Sequence, residues 1–535
     1  MADLGAMALL LGLVVSCYAA AASVLGEKMR IAELIVSARR SIYMTALCAA
    51  VASGTLIFAF AENDFSIEYV ANHSNTLMDR AFVWVAFYAG NEGSLLYILL
   101  ILTVISSISI WVAPTRLERS MPWTIAILAV IQLFYFAVLT LSASPFELME
   151  NVPEDGRGIN PLLTHPGMFS HPPLLMGGLI AITVPFAFVS GALIAGNFGD
   201  DWVDVARVSA IIAWGVLGIG MLLGAWWAYT ILGWGGYWAW DPIENVALMP
   251  WLVMTAFIHS IMVQKRRGMF RMWNVALLNI AFVLAQLGMF INRGGPVVSV
   301  HSFAASTLGM IFLSFMLASL VFAFALFLWR MPALKSDRNM ESFMSREASF
   351  LVNNFLFLSV MAITLWGVLF PLFSDFARDV SVTVSAPYFD RANGPVLLGI
   401  VMMMGVGPLL PWRKASARSL KQWFIWPTAA LLLIITFLVI AGIQRPVAIF
   451  AFGVVGFVAA SILEEWWRGS YARHRNGDNW ALAWWRLVNG NRPRHGGYIV
   501  HISILMIGLG IIGTNFYQQR TDGAISLGES LVIDN

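Results

Sequence analysis

The sequence predicts an all-α polytopic membrane protein, a bundle of about fourteen transmembrane helices with both termini extracytoplasmic. Three observations predict it: the composition, the length of the apolar runs and the placement of the basic residues. Of 535 residues, 59% are hydrophobic and 12% charged, with mean hydropathy +0.76. That leaves too few polar side chains to cover a water-soluble globule. A hydrocarbon layer about 30 Å thick takes about 20 apolar residues per helix, and windows of that length recur from one end of the chain to the other. A transmembrane β-barrel would show alternating segments of about ten residues instead of continuous runs.

In chain order the apolar windows fall at 5–25, 42–61, 91–113, 122–142, 173–196, 209–226, 248–264, 274–292, 305–329, 351–373, 395–411, 425–442, 446–465 and 496–515. Inside lipid each must satisfy its backbone polar groups internally, which only helices do within a single segment. Asp3 precedes the first window and Lys28 and Arg30 follow it, the reverse of a cleavable secretory signal. Of 32 Lys and Arg, 25 lie in the loops 26–41, 114–121, 197–208, 265–273, 330–350, 412–424 and 466–495. Positive charge is retained on the cytoplasmic side, so the alternate loops and both termini are expected outside. Residues 1–515 then form the bundle, and 516–535 an extracytoplasmic tail. The basic residues are spread over short loops instead of gathered on one face, which excludes nucleic acid as a partner. Cys17 and Cys48 each lie inside an apolar window without a CxxC spacing, and two buried free thiols are expected.

The third outer loop and its flanks read Trp226-Trp227-Ala-Tyr229, Gly233-Trp234-Gly235-Gly236-Tyr237-Trp238-Ala-Trp240-Asp241-Pro242-Ile-Glu244-Asn245 and on to Pro250-Trp251, placing six tryptophans in 26 residues. An aromatic belt at a membrane interface needs only scattered rings. It gives no reason for glycines among the indoles or for Asp-Pro-x-Glu-Asn after them. Glycines let the backbone approach a flat ligand closely, and a carboxylate beside proline points to a rigid turn with fixed hydrogen bonds. A planar-ligand platform over 226–251 is the reading that covers all of these features.

Four of the eight histidines form a pattern. His171 and His301 bracket the tryptophan loop in sequence and share its side of the membrane. His259 lies nine residues past Pro250 and His501 thirteen before Thr514, about 13 and 20 Å below the outer surface at 1.5 Å per residue. Ionisable groups at such depth are costly and mark ion paths, relays or cofactors. The bland alternative is a neutral imidazole bonded between helices. Imidazole suits iron, and bis-histidine haem needs one ring on each axial face. Two haem positions are expected, an exposed one at His171 and His301 and a buried one at His259 and His501. His73, His165, His474 and His495 read as solvated loop residues. Arg293 is either a partner for a haem propionate or an interfacial anchor.

Trp234-Gly-Gly-Tyr-Trp238-Ala-Trp240-Asp241-Pro242-x-Glu244-Asn245 resembles the WWD signature of the haem-handling superfamily that includes CcmF, CcmC and CcsA-type proteins. The CcmF pattern is matched along nearly the whole chain, through Tyr69-Val-Ala-Asn-His73-Ser-Asn75, Glu92-Gly-Ser-Leu95, Asn160-Pro-Leu-Leu163, His171-Pro-Pro, Val298-Ser-Val-His301, Ala386-Pro-Tyr-Phe389 and Gly407-Pro-Leu-Leu410. The resemblance implies a bacterial inner-membrane cytochrome c haem lyase. It takes haem from a CcmE-like chaperone and positions it for thioether attachment to the CxxCH motif of apocytochrome c, presented by CcmH/CcmI-like subunits. His171 and His301 would hold the substrate haem iron. Trp226, Trp227 and Arg293 would join in haem binding, and Trp234, Trp238, Trp240, Asp241 and Glu244 would form the catalytic platform. His259 and His501 would hold a resident haem b that relays electrons, with quinol as donor. The pattern departs at Asn91, where relatives often have histidine, and at Gly294-Gly295-Pro296. It departs also beyond residue 516, where relatives continue into an outer β-rich domain and a further helix, which either a separate polypeptide supplies or this protein does without. Two other readings stand beside this one: a haem or solute transporter, and a paralogue dedicated to one cytochrome, such as the NrfE type.

Overall fold

The structure is a computed structural model, and it describes all residues except 234, 235, 298, 300, 302–306, 337, 339, 381, 520, 522, 534 and 535, with the side chain of 417 also outside the description. Its α-helices are α1 (Ala2–Met29), α2 (Ala32–Ala61), α3 (Glu68–His73), α4 (Val83–Phe87), α5 (Asn91–Trp111), α6 (Met121–Leu141), α7 (His171–Ala181), α8 (Thr183–Ile194) and α9 (Val203–Ile231). They continue with α10 (Pro242–Arg267), α11 (Arg271–Gly294), α12 (Leu308–Arg330), α13 (Arg346–Arg378), α14 (Ala386–Leu409), α15 (Ala417–Ile440), α16 (Pro446–His474), α17 (Trp480–Gly490) and α18 (Arg492–Tyr517). Among the described residues, fourteen helical segments are long and apolar enough to cross a membrane, one for each window read from the sequence. The sole departure from helix pairing there is an isolated antiparallel bridge, Ile67 to Leu148.

The helices outrun the apolar windows because they continue past the hydrocarbon until a backbone signal stops them. α1 ends on Arg30 in the left-handed region (φ 59°) and α10 on Gly268 (φ 64°). The fifth span, 166–194, is broken into a 3₁₀ turn (Pro166–Phe169), α7 and α8. Pro185 has no N–H for the carbonyl of Ala181, so the ladder lapses at Ile182. α10 starts at Pro242, so His259 lies 17 residues into its helix and 8 before Arg267. That is about 26 Å along the axis from a helix start that lies inside the tryptophan loop. His501 sits 16 residues before Tyr517 and 9 after Arg492, about 24 Å from that end.

The chain divides into two compact units, one of residues 1–339 and 357–390, the other of 340–356 and 391–535. The first has an interior crossed by polar side chains that bond to one another. Thr45 donates to Gln132 Oε1 at 2.8 Å, and Asn274 donates to Gln264 Oε1 at 2.8 Å. The second unit packs Val454, Phe457, Val458 and Ile462 of α16 with Leu409, Tyr498, Leu505 and Ile512.

Several side chains lie elsewhere than the sequence suggests. Cys17 is exposed and only Cys48 buried; Cys17 shares an α1 face with exposed Leu10, Val14 and Tyr18, a surface that lipid covers. Of the histidines read as solvated, His73 lies tilted against Tyr69 (4.3 Å, 31°), His474 stacks on Trp480 (4.3 Å), and His495 is buried beside Tyr498. Neighbouring aromatic rings take these imidazoles out of water.

Candidate functional site

The site lies in the first unit, where α7, α9, α10 and the segment before α12 meet. Gly220 and Gly224, four apart on α9, make its groove. A Cβ on Gly220 would stand 2.7 Å from the backbone nitrogen of Leu175, and one on Gly224 2.4 Å from Cε1 of His171. The missing side chains therefore let α7 close on α9 and leave room for the His171 ring. That ring is 8% exposed, and its Nδ1 donates to the Gly220 carbonyl at 2.8 Å. A carbonyl only accepts, so Nδ1 carries the proton and Nε2 keeps its lone pair.

Trp227 stands between the two outer histidines. Its ring is 6.2 Å from His171 at 20° between planes and 5.4 Å from His301 at 60°. It is 4% exposed, and its N–H donates to the Leu162 carbonyl at 3.2 Å. Residues 130 positions apart in the chain, His171 and His301, thus meet across one indole.

Asp241 holds His301. One carboxylate oxygen accepts from His301 Nδ1 (3.1 Å), the Ser299 hydroxyl (2.6 Å) and the Ile243 N–H (2.9 Å). Burial pushes this carboxyl upward, but the imidazole, the hydroxyl and the N–H outweigh it and hold Asp241 below the usual carboxylate range. As with His171, the acceptor fixes the proton on Nδ1. The same residue is the N-cap of α10, and Glu244 completes a capping box by accepting from the N–H groups of Asp241 and Ala239, both at 3.0 Å. The rigid turn read from Asp-Pro-x-Glu is this cap. Asp241 therefore acts as a positioning residue, and Glu244 fastens the turn.

The other tryptophans spread around this centre. Trp226, the neighbour of Trp227 on a helix, points to another side and is 45% exposed, with its ring 5.0 Å from His165. His165, read as bland, belongs to this cluster: Nδ1 accepts from Gly167 N at 3.0 Å, and Nε2 meets Thr230 Oγ1 at 3.3 Å. Trp240 has positive φ (57°), stacks on Phe389 at 5.1 Å and donates from its indole to Asp390 at 2.8 Å. Trp238 meets Trp240 edge-on at 6.0 Å. A bulky residue at positive φ is strained and persists where its surroundings fix it. Trp234 lies outside the described residues, as do Val298 and Val300 of the motif around His301.

Arg293 lies in the interior of the first unit. It is fully buried in the last turn of α11, where it donates to Asn91 Oδ1 (2.9 Å) and Ser94 Oγ (2.7 Å). Its helix runs two residues beyond the apolar window, and the guanidinium is enclosed by the interior. Asn91, the departure noted in the sequence, is its acceptor. Gly295, in the left-handed region (φ 57°), then ends α11 ahead of Pro296.

The sequence reading missed the residues that support His171. Tyr88 and Trp84 donate to the carbonyls of Met168 (2.5 Å) and Phe169 (3.1 Å), and Tyr97 to that of Pro173 (3.2 Å). The aromatic run Phe82-Val-Trp84-Val-Ala-Phe87-Tyr88 was the available signal.

Of the deeper histidines, His259 donates from Nδ1 to the Thr255 carbonyl of its own helix at 2.7 Å, which places the ring proton on Nδ1. That tautomer fits an axial haem ligand. In the second unit, His501 is half-buried with its ring 6.4 Å from Tyr498. Gly497 and Gly508, one turn before it and two after, share its face of α18 and have open space where a Cβ would stand.

Residues 89–295 match the family described as cytochrome C assembly protein. The chain is 32% identical to the cytochrome c-type biogenesis protein CcmF of Pseudomonas aeruginosa, over 99% of this chain and 80% of that one. It is 34% identical to CcmF of Haemophilus influenzae over 78% of this chain, a match spanning 65% of that protein, just under two thirds of its length. The probable biogenesis protein NrfE of Escherichia coli is 36% identical over 66% of this chain and 64% of its own. A solved structure of a cytochrome c haem lyase CcmF superposes with TM-score 0.79 at 32% identity, covering 96% of this chain and 77% of that one. With one fold and one sequence pattern shared along nearly its whole length, this multi-pass membrane chain belongs to the CcmF family of cytochrome c-type biogenesis proteins.

Proposed function

We propose that this chain is the haem lyase subunit of cytochrome c maturation in the bacterial inner membrane, working at its extracytoplasmic face. The observation that carries the reading is the meeting of His171 and His301 across Trp227, each with Nδ1 tied down. Two imidazoles whose protons are held on Nδ1 offer Nε2 lone pairs of the kind that suit the two axial positions of a substrate haem. Trp227 walls the site, Trp226, Trp238 and Trp240 extend it, and Asp241 keeps His301 in register. Trp234, by its place in the motif, is assigned to the same platform.

The substrate haem comes from a CcmE-like chaperone, and the apocytochrome CxxCH is presented by CcmH/CcmI-like subunits. Each thiol adds across one vinyl group, sulfur bonding to one carbon and hydrogen to the other, so no protein nucleophile is consumed. The chain contributes alignment, which alone lowers a bimolecular barrier by about 7–11 kcal/mol when geometry is near attack. His259 and His501 are proposed as axial ligands of a resident haem b, supported by the tautomer of His259 and the open glycine face beside His501. That haem, when bound, supplies electrons, drawn from quinol, that keep the substrate iron ferrous.

The test is haem content and cytochrome c yield in single histidine variants. His259→Ala and His501→Ala should each lose the stable b-type absorbance of the purified protein. His171→Ala and His301→Ala should retain it and abolish cytochrome c maturation. The reverse pattern overturns the assignment, and a wild-type preparation without haem absorbance favours a transporter.

A further inference from the structure

A cleft in the second unit has no part in the proposed reaction. It has a volume of about 700 Å³ and lies between α15, α16 and α17. Trp426 comes from α15, Trp480 and Trp484 from α17, and the floor is the stretch of α16 from Leu463 to Ser470.

Three polar atoms on that floor are buried and have no hydrogen-bond partner among the described residues: Glu464 Oε2, Trp466 Nε1 and Ser470 Oγ. Ser470 itself is 5% exposed. Trp466 and Ser470 are one turn apart and so share a face. Glu464 pairs through its other oxygen with Arg468, also one turn on. Buried donors and acceptors are normally satisfied, and these three belong to residues that line one cavity, which singles it out as a place for a ligand. An interfacial tryptophan belt explains the rings but leaves these atoms unexplained.

The donor set specifies that ligand. Trp466 N–H, the Ser470 hydroxyl and the Arg468 guanidinium are donors, suited to phosphate oxygens. Glu464 Oε2 is an acceptor, and it is surrounded by indole faces that attract a cation. Trp467 stacks on Trp480 at 5.0 Å and 22°, and Trp466 meets Trp484 edge-on at 5.8 Å. The Glu464–Arg468 pair carries no net charge, so the cleft matches a zwitterion better than an anion. Its outer lip is apolar and open: Trp426 is 67% and Leu463 60% exposed. In a membrane chain such a lip faces lipid.

We propose that this cleft binds the head group of a zwitterionic phospholipid bearing a primary ammonium. The ammonium sits among the indoles and donates to Glu464 Oε2, and the phosphate accepts from Arg468, Trp466 and Ser470. The site is independent of the haem histidines.

The full chain, purified in detergent, is offered equal amounts of phosphatidylethanolamine, phosphatidylcholine and phosphatidylglycerol with matched acyl chains, and retained lipid is read by native mass spectrometry. Wild type should keep phosphatidylethanolamine at about a fivefold excess over each competitor, the ratio one hydrogen bond of ordinary strength gives. Glu464→Gln should bring that ratio to about one. Trp466→Phe and Ser470→Ala, which remove donors to the phosphate that all three lipids share, should each lower total lipid retention and leave the ratio in place, with unfolding midpoints measured beside them. Equal retention of the three lipids by wild type overturns the proposal, as does total retention unchanged in the Trp466→Phe, Ser470→Ala double variant. Soluble glycerophosphoethanolamine that binds as well as the lipid overturns the assignment to the membrane.

Discussion

The outer and deep histidines are held in different ways. His171 and His301 are fixed by partners far away in sequence, the Gly220 carbonyl 49 residues on and the Asp241 carboxylate 60 residues back. His259 is fixed by its own helix, through the Thr255 carbonyl one turn earlier. An anchor across tertiary structure sets where a ring stands in space, whereas an anchor within one helix sets only its tautomer and tilt. The difference suits a clamp for a visiting substrate and a lodging for a resident group.

The contrast can be broken most forcefully at Gly224. Gly224→Val places atoms where His171 Cε1 now lies, and substrate-haem binding should fall by about 100-fold or more, the cost of losing well-oriented geometry. Resident haem absorbance should stay unchanged; loss of both would show the two sites to be one. Asp241→Asn tests the next link. Asparagine remains a good N-cap, so the unfolding midpoint should move little, but loss of the carboxylate behind His301 should weaken haem binding in a titration by about 10–100-fold.

On the deep side the corresponding change should be mild. Thr255→Val removes the hydroxyl that accepts from Trp214 Nε1 at 2.8 Å and keeps the backbone carbonyl that holds His259. The same hydroxyl donates to the Trp251 carbonyl at 2.8 Å, so resident haem content should hold while stability drops by about 2 kcal/mol, the worth of two hydrogen bonds. A large loss of haem would mean that His259 depends on more than its own helix.

The smallest effect is in pH. Asp241 has a depressed folded pKa, so its contribution is complete above the ordinary carboxylate value near 3.9 and is lost only as pH falls through the lower folded value. Haem binding through this link should be flat between pH 7 and 5. His73 is depressed by burial against Tyr69 despite the Tyr69 carbonyl at its Nδ1. Its unfolded form takes up a proton first, so stability should begin to fall as pH drops below about 6.5. The unfolding midpoint followed from pH 7 to 5 should lose that part of its slope in His73→Phe.

Most of the span plan and the family pattern were legible in the sequence, since apolar length and motif order are local properties. Helix ends were less so. Pro242 opens α10 inside what reads as loop, and α11 runs past its apolar window, with Arg293 in the interior. The roles within the motif were also hidden. Adjacent Trp226 and Trp227 read alike, yet one is 45% exposed and the other 4%, because successive helical residues face different ways. His165 and His73 read as surface because nothing nearby in sequence reports the Trp226 and Tyr69 rings beside them.

The sequence by itself determined that the chain lives in a membrane as about fourteen helices and that His171, His301 and the tryptophan loop belong together. Those conclusions follow from hydropathy and spacing, which are written along the chain. The tertiary structure alone decided that Trp227 is the ring between the histidines, that Asp241 serves His301, and that glycines on α9 make the room. Such facts depend on which surfaces touch after packing, and contacts between residues 49 to 130 positions apart leave no periodic trace in the sequence.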